Sequence, residues 1–468
     1  MNLNQVVNDF ASLAIASGGW MELDRLYLKN RLLLLIGGSS LHTDDPIKAN
    51  DQNGLSTDAK KELRTHDKTS HLVQAQALIR DMVGYAVANK KIRTDGTEKQ
   101  LLRAQLLDLL TPPPSVVNAF FAQHYSKEPK QATTYFYQLC CQNGLIEPEP
   151  VTHIGVHNTS YGEVRVRLLS TPPRPPLFDV LGSSEAEADH GYPKCPYCFE
   201  NEGFGDGHQA AHIAVRFIRM NLAGESWGFQ YAANPQYQEQ FFISSDAHTP
   251  LAVGDTSVQR MTQILDVFPH YFVALSSAEP ESKPHGAYEG GLEDFPLFQR
   301  QVSHYIELPD FPLMNLGHVD WPLPVIRFSS PNAEDISAGI AYVWQRWQER
   351  MVVAHEIDLD VEPLIIGRRQ QGNYVFDVLL ATLSGKNNEQ QDKPLSVAQW
   401  CGVFDHFVND DMAAAAPEDG RTGETKFSQE LRDQWLADQL ERLRGEKSFS
   451  QSINVTKTAE FLASLEED

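Results

Sequence analysis

An α+β fold is what this sequence predicts, with a helical N-terminal region followed by antiparallel-sheet domains and packed helices. Three observations carry the expectation. Apolar residues recur at helical spacing through the first third of the 468-residue chain; strand-like alternation begins after about Pro148; and short strands then mix with single amphipathic helices. The length and a 41% hydrophobic composition allow a large core divided among subdomains.

The first helical stretch runs from Phe10, Leu13, Ala14 and Ala16 through Leu23, Leu26 and Tyr27 to the apolar run 32–36, where Gly37-Gly38 stops it. Residues 43–70 are polar and read as a loop. Leu72, Ala75, Leu78, Ile79, Met82 and Val83 mark a second helical region, and Leu101, Leu102, Leu106, Leu107 and Leu110 a third, ended by Thr111-Pro-Pro-Pro. Beyond it, "VTHIGVHN" and "GEVRVRLLS" read as strands before the proline-rich 170–176. "WGFQY" and "QFFIS" are further strands, and "SVQRMTQILDVF" is a helix with Met261, Ile264, Leu265 and Phe268 on one face. "WPLPVIRFSS" reads as a strand. Asn332 then caps a helix whose inner stripe is Ile336, Ile340, Val343, Trp344 and Trp347. After the strand "YVFDVLLATL" and a polar loop at 386–393, a last helix carries Leu431, Trp435, Leu436, Leu440 and Leu443. These shifts divide the chain into a helical region 1–148, an α+β domain 149–330 and a C-terminal α+β region 331–468.

A net charge of −23 argues against a broad nucleic-acid or anionic-membrane surface, which works by neutralising phosphates with Lys and Arg. No apolar run approaches the ~20 residues that span a bilayer, and the N-terminus lacks the pattern of a secretion signal. The chain reads as cytoplasmic. Five cysteines fit a reducing compartment, and Cys195-Pro-Tyr-Cys198 is the pair with metal or redox spacing. On spacing alone it is half a zinc site, a redox pair or two small buried side chains. His248 in "DAHTP" and His285 in "KPHGAY" are candidate partners, because thiolates and neutral imidazoles together suit tetrahedral Zn²⁺.

Six segments resemble, in the same order, the type II galactose-1-phosphate uridylyltransferases (UDP-glucose:hexose-1-phosphate uridylyltransferases). They are "SGGWMELDRLYLKNRLL" at 17–33, "QATTYFYQL" at 131–139, "YPKCPYCFENEGF" at 192–204, "GESWGFQY" at 224–231, "HTPL" at 248–251 and "FPHYF" at 268–272. The resemblance covers roughly the first 330 residues. It implies a histidine-triad-like sheet domain and an enzyme of the Leloir galactose pathway, with UDP-glucose or UDP-galactose and hexose 1-phosphate as substrates, zinc or iron as metal, and a homodimer. In this family a histidine takes the uridylyl group from UDP-glucose and passes it to galactose 1-phosphate, a ping-pong reaction. The related type I branch holds zinc through a Cys-x-x-Cys pair, a later His and the first His of a His-x-His-x-Gln motif, and mapped here the resemblance implies Cys195, Cys198, His248 and His285 as metal ligands.

The family motif His-x-His-aromatic-Gln-Gly-Gly falls on "HGAYEGG", 285–291, and puts Ala287 at the nucleophile and Glu289 at the glutamine. A methyl group has no lone pair. An ionised Glu accepts hydrogen bonds where Gln can donate to phosphate, and two like charges ~4 Å apart repel by about 4 kcal/mol at an effective dielectric near 20. The family's Asn-Glu-His is Gln238-Glu239-Gln240 here, and the run before the motif is the shorter "SAEPESKP". Arg216 stands where the family has a basic residue near the phosphates, and Trp227 and Phe229 could wall a pocket or pack in the core.

Three readings follow. The first is a working transferase whose nucleophile is His285 itself or His304. The second is a catalytically impaired homologue that binds a nucleotide sugar or a partner. The third is a metal-dependent nucleotide hydrolase, which would need an open coordination position that a Cys₂His₂ set does not leave.

Overall fold

The computed structural model describes residues 3–17, 20–38, 68–93, 96–146, 151–159, 162–169, 195, 197–204, 213–251, 253–275, 285–353, 363–379, 396–407 and 461–465. Two compact units result: residues 1–148, 177–220 and 228–234 form one, and 149–176, 221–227 and 235–468 the other.

In the first unit the expected helical block is present. Helix α1 (Leu3–Ala16) turns Val7, Phe10, Ala11 and Ala14 inward, the i, i+3, i+4, i+7 pattern of a one-sided helix. Helix α2 (Arg25–Ile36) buries Leu28, Leu32 and Ile36 and ends at Gly37, whose φ of 74° lets its N–H reach the Leu33 carbonyl. The continuous stretch expected from Phe10 to Ile36 is therefore two helices. Helices α3 (Lys68–Ala88) and α4 (Gly96–Asp108) close this core with Ala75, Ile79, Met82, Leu102 and Leu106. Two more helices follow, α5 (Pro114–Tyr125) and α6 (Pro129–Gln142), each opened by proline in its first turn, where the missing N–H costs nothing. The prolines at 112–114 thus start a helix as well as following one.

The second unit is built on sheets. Strands β1 (Val151–Thr159) and β2 (Gly162–Leu169) form an antiparallel hairpin. The remaining strands are β3 (Ile218–Leu222) and β4 (Glu225–Tyr231), whose residues are divided between the two units, and β5 (Phe241–Ser245), β6 (Phe272–Leu275), β7 (Ala287–Gly291), β8 (Val302–Ile306), β9 (Asn315–Val319), β10 (Val325–Ser330), β11 (Leu364–Gln370), β12 (Asn373–Leu379) and β13 (Val403–Phe407). Strand β13 lies parallel to β2 in a three-stranded sheet. The large sheet runs β3-β4-β5-β7-β6-β11-β12-β10-β9-β8.

Directly opposed residues share a face. One face of the large sheet carries Ala274, Ile366, Val325 and Leu379, which pack with Val164 and Val166 of β2, Val403 and Phe404 of β13, and the large rings of Phe295, Trp321 and Trp400. Helices α7 (Asp255–Val267) and α8 (Ala333–Val353) pack against the sheet from their own apolar stripes, Met261, Ile264 and Leu265 in one and Ile336, Ile340, Val343 and Trp347 in the other. Asn332 caps α8 as expected, its Oδ1 accepting from the Glu334 N–H at 2.9 Å.

A boundary at 330 does not separate two folds. Strand β11 pairs with β6 and β12 with β10, so segments on both sides of that position share one sheet. The helix expected around Leu431–Leu443 lies outside the described residues. Among the described residues, no helix is long and apolar enough to cross a membrane.

Candidate metal centre and the strand beside it

Cys195 and Cys198 sit on a tight knuckle. The Cys198 N–H donates to the Cys195 carbonyl at 3.1 Å, and the Asn201 side-chain amide donates to both cysteine carbonyls, at 2.7 and 2.9 Å. This fixes the two sulfurs 3.5 Å apart, a hydrogen-bonding distance far beyond a disulfide. The proximity of Cys198, then burial, pushes the Cys195 thiol well up. Bringing two thiolates this close without a cation is costly, and binding a metal releases their protons.

His248 follows β5 and His285 precedes β7. The Gly286 N–H donates to the Thr249 carbonyl at 2.9 Å and ties the two segments together. Only glycine fits there: a Cβ on Gly286 would stand 2.2 Å from Leu251 Cβ and 2.4 Å from its backbone nitrogen. The rings of His248 and His285 lie 4.9 Å apart between centroids. His285 is buried, with Nε2 2.8 Å from the Ser245 carbonyl. A carbonyl partner on one ring nitrogen fixes the tautomer and leaves Nδ1 to ligate, the usual support for a metal-binding histidine.

The ligand atoms of Cys195, Cys198, His248 and His285 all lie within 4.8 Å of one another. A tetrahedral zinc with Zn–S of about 2.3 Å and Zn–N of about 2.0–2.1 Å has ligand-to-ligand edges of roughly 3.3–3.8 Å. The 3.5 Å sulfur separation is one such edge. Two thiols and two imidazoles are also the donor set that zinc or iron selects. The residues fit the metal.

Strand β7 carries the motif. Ala287 is opposite Ser244 of β5, and Glu289 is opposite Phe242 of β5 and Ala274 of β6. Glu289 Oε1 accepts from the Tyr237 hydroxyl at 2.5 Å and from the Gln240 amide at 2.8 Å. Burial and then the Glu289 charge push the Tyr237 hydroxyl well up, so it stays a donor. The Glu289 carboxylate, which can only accept, thus has two donors in Tyr237 and Gln240. Glu239 is occupied separately, accepting from the Tyr271 hydroxyl. At the end of the motif, a Cβ on Gly290 would lie 2.2 Å from the Phe241 ring and 2.4 Å from the Phe272 carbonyl oxygen.

Of the expected substrate-binding residues, Arg216 is placed otherwise, and Trp227 and Phe229 take the core alternative. Arg216 is buried; Nε donates to the Pro112 carbonyl, Nη1 to those of Ile213 and Val215, and Nη2 to Asp108 and the Thr111 carbonyl. No N–H remains for a phosphate, which corrects that assignment. Phe229 packs among Phe121, Phe136 and Tyr231, and Trp227 packs on Tyr288 with the Arg260 guanidinium 5.2 Å from its ring. Both are core positions, 0% and 2% exposed, and wall no open pocket. His304 lies on the edge strand β8, six strand steps from β7, or roughly 29 Å measured along the sheet at ~4.8 Å per step.

Sequence reading missed five side chains with structural roles. Asn201 follows the cysteine knuckle at a spacing a hydrogen-bonding residue could have suggested. Tyr237 and the buried Arg327–Asp377–Arg368 cluster had no local signal; Asp377 accepts from Arg327 at 2.6 Å and from Arg368 at 2.7 Å across three strands.

The chain is an α+β protein whose Cys-x-x-Cys knuckle and two histidines form a group that could hold a metal ion. Residues 20–215 match the family "Galactose-1-phosphate uridyl transferase, N-terminal domain". The chain is 28% identical over 395 residues to galactose-1-phosphate uridylyltransferase of Staphylococcus saprophyticus, covering 81% of this chain and 75% of that protein. It is 29% identical over 411 residues to the same-named protein of Lactobacillus helveticus, covering 84% and 76%. A distant structural similarity is found to yeast Ap4A phosphorylase Apa2, with a TM-score of 0.38 and 11% identity over 61% of this chain and 89% of that one. Over about four fifths of its length the chain is thus similar to galactose-1-phosphate uridylyltransferases.

Proposed function

We propose that this chain keeps the metal-held scaffold of the uridylyltransferases and binds a UDP-hexose without forming the covalent uridylyl-histidine intermediate. The observation that carries the reading is Ala287. It sits in regular register on β7, two residues after the metal-side His285 and two before Glu289, where a transferase needs an imidazole. Cys195, Cys198, His248 and His285 would hold a zinc ion. A set with four protein ligands is a closed, shape-holding site, which disfavours the hydrolase reading.

A rescue by His285 is also disfavoured. Its Nε2 is taken by the Ser245 carbonyl, and its other nitrogen belongs to the metal set. The pairing of Glu289 with Tyr237 and Gln240 supports a site that has adapted to the loss of the family glutamine. Calorimetry with UDP-glucose, combined with intact-mass measurement, tests the reading. Saturable binding with no mass increase supports it; an increase of one uridylyl group on the wild-type chain refutes it.

A further inference from the structure

The first unit contains a cleft of about 360 Å³ formed by the end of α1 and the α5–α6 pair. That is the size class of a small-metabolite site. Its polar wall is made by Gln123, His124, Lys127, Tyr135, Gln138 and Gln142. Among the described residues no Asp or Glu lines it, although the chain has 62 acidic residues against 39 basic ones. The one fixed charge at the wall is therefore the Lys127 ammonium, in a protein whose overall field is negative.

Two polar atoms on lining residues, the Tyr135 hydroxyl and Gln142 Oε1, are buried and lack a hydrogen-bond partner. Buried groups of this kind are few in native proteins, and each carries an unmet desolvation cost. Burial, then Cys140, pushes the Tyr135 hydroxyl up to about 12, so it remains a neutral donor near neutrality. The His124 ring stacks on that of Tyr135 at 4.9 Å with 21° between planes.

We propose that this cleft is a second ligand site, for a small polyhydroxylated anion. Three side-chain amides supply donors and acceptors for hydroxyl groups, His124 supplies a ring face, and Lys127 takes the anionic group. The assignment is independent of the β7 reading, since every residue in it belongs to the helical unit.

Titration of the full-length chain with hexose 6-phosphate, gluconate, free hexose and inorganic phosphate tests it. Saturable binding of at least one of the first two is expected, with free hexose and phosphate each weaker by about tenfold or more. If hexose 6-phosphate binds and gluconate does not, the anion is a phosphate ester; the reverse makes it a carboxylate. Lys127→Ala should weaken binding about tenfold and Gln138→Leu severalfold, with melting temperatures unchanged, whereas Lys130→Ala, outside the cleft, should have no effect. UDP-glucose at saturation should not displace the ligand. Absence of saturable binding for both anions, equal affinity in Lys127→Ala, or displacement by UDP-glucose would overturn the proposal.

Discussion

Replacing Arg216 by methionine separates a packing role from a phosphate-binding one. The substitution keeps an unbranched stem and deletes every donor. In the wild type those donors reach four carbonyls and the Asp108 carboxylate, at 2.8–3.4 Å, in a side chain only 5% exposed. Loss of one partner of such a buried pair costs about 3–5 kcal/mol, because the other charge is left without compensation. Asp108 is already held above the ordinary carboxylate range by burial, with Arg216 opposing that rise. For a unit of about 200 residues each kcal/mol moves the melting temperature by about 2–4 °C, so a drop of about 6–20 °C is expected. Thermal melting by circular dichroism reads this, and calorimetry with UDP-glucose below the melting range reads affinity. Arg216→Met with Asp108→Leu should recover part of the loss by removing the stranded carboxylate. An unchanged melting temperature with UDP-glucose affinity reduced tenfold or more would show that Arg216 serves the phosphates, and would refute the reasoning.

Asp377→Asn should destabilise the second unit by about 3–5 kcal/mol in urea titrations, since Arg327 and Arg368 lose their shared buried counter-charge. Burial would raise the Asp377 carboxyl, yet Arg368 and Arg327 together hold it below the ordinary range. Its stabilisation is therefore present above the unfolded value near 3.9 and lost as pH falls through the lower folded value; the wild type should lose this increment below about pH 4, and the variant should not. Gly290→Ala, with its Cβ forced to 2.2 Å from Phe241 and 2.4 Å from a backbone oxygen, should cost about 1–3 kcal/mol or more by the same titration. Cys198→Ser should abolish stoichiometric zinc in elemental analysis; a variant that still retains one tightly held zinc per chain would show that the four residues are not the metal set.

Much of the fold was legible because its signals are local. The stripes of α1, α7 and α8 and the alternation of β1 and β2 need no knowledge of distant partners. The Cys/His cluster was legible in part, from the Cys-x-x-Cys spacing together with the motif around His285. What escaped reading is non-local. Whether Arg216 faces a ligand or its own chain depends on Asp108 and Pro112, about a hundred residues away, and whether Trp227 lines a pocket depends on Tyr288. The partnership of Glu289 with Tyr237 and Gln240 joins β7 to the turn that precedes β5, a link that no spacing rule predicts.

The central claim is that a metal-held uridylyltransferase scaffold lacks its nucleophile at Ala287. Intact-mass measurement after incubation with UDP-glucose, on the wild type and on Ala287→His with Glu289→Gln, tests it most directly. The account predicts no added mass on the wild type, and on the double variant a uridylyl adduct that is discharged by galactose 1-phosphate. A uridylyl adduct on the wild-type chain, discharged in the same way, would contradict it.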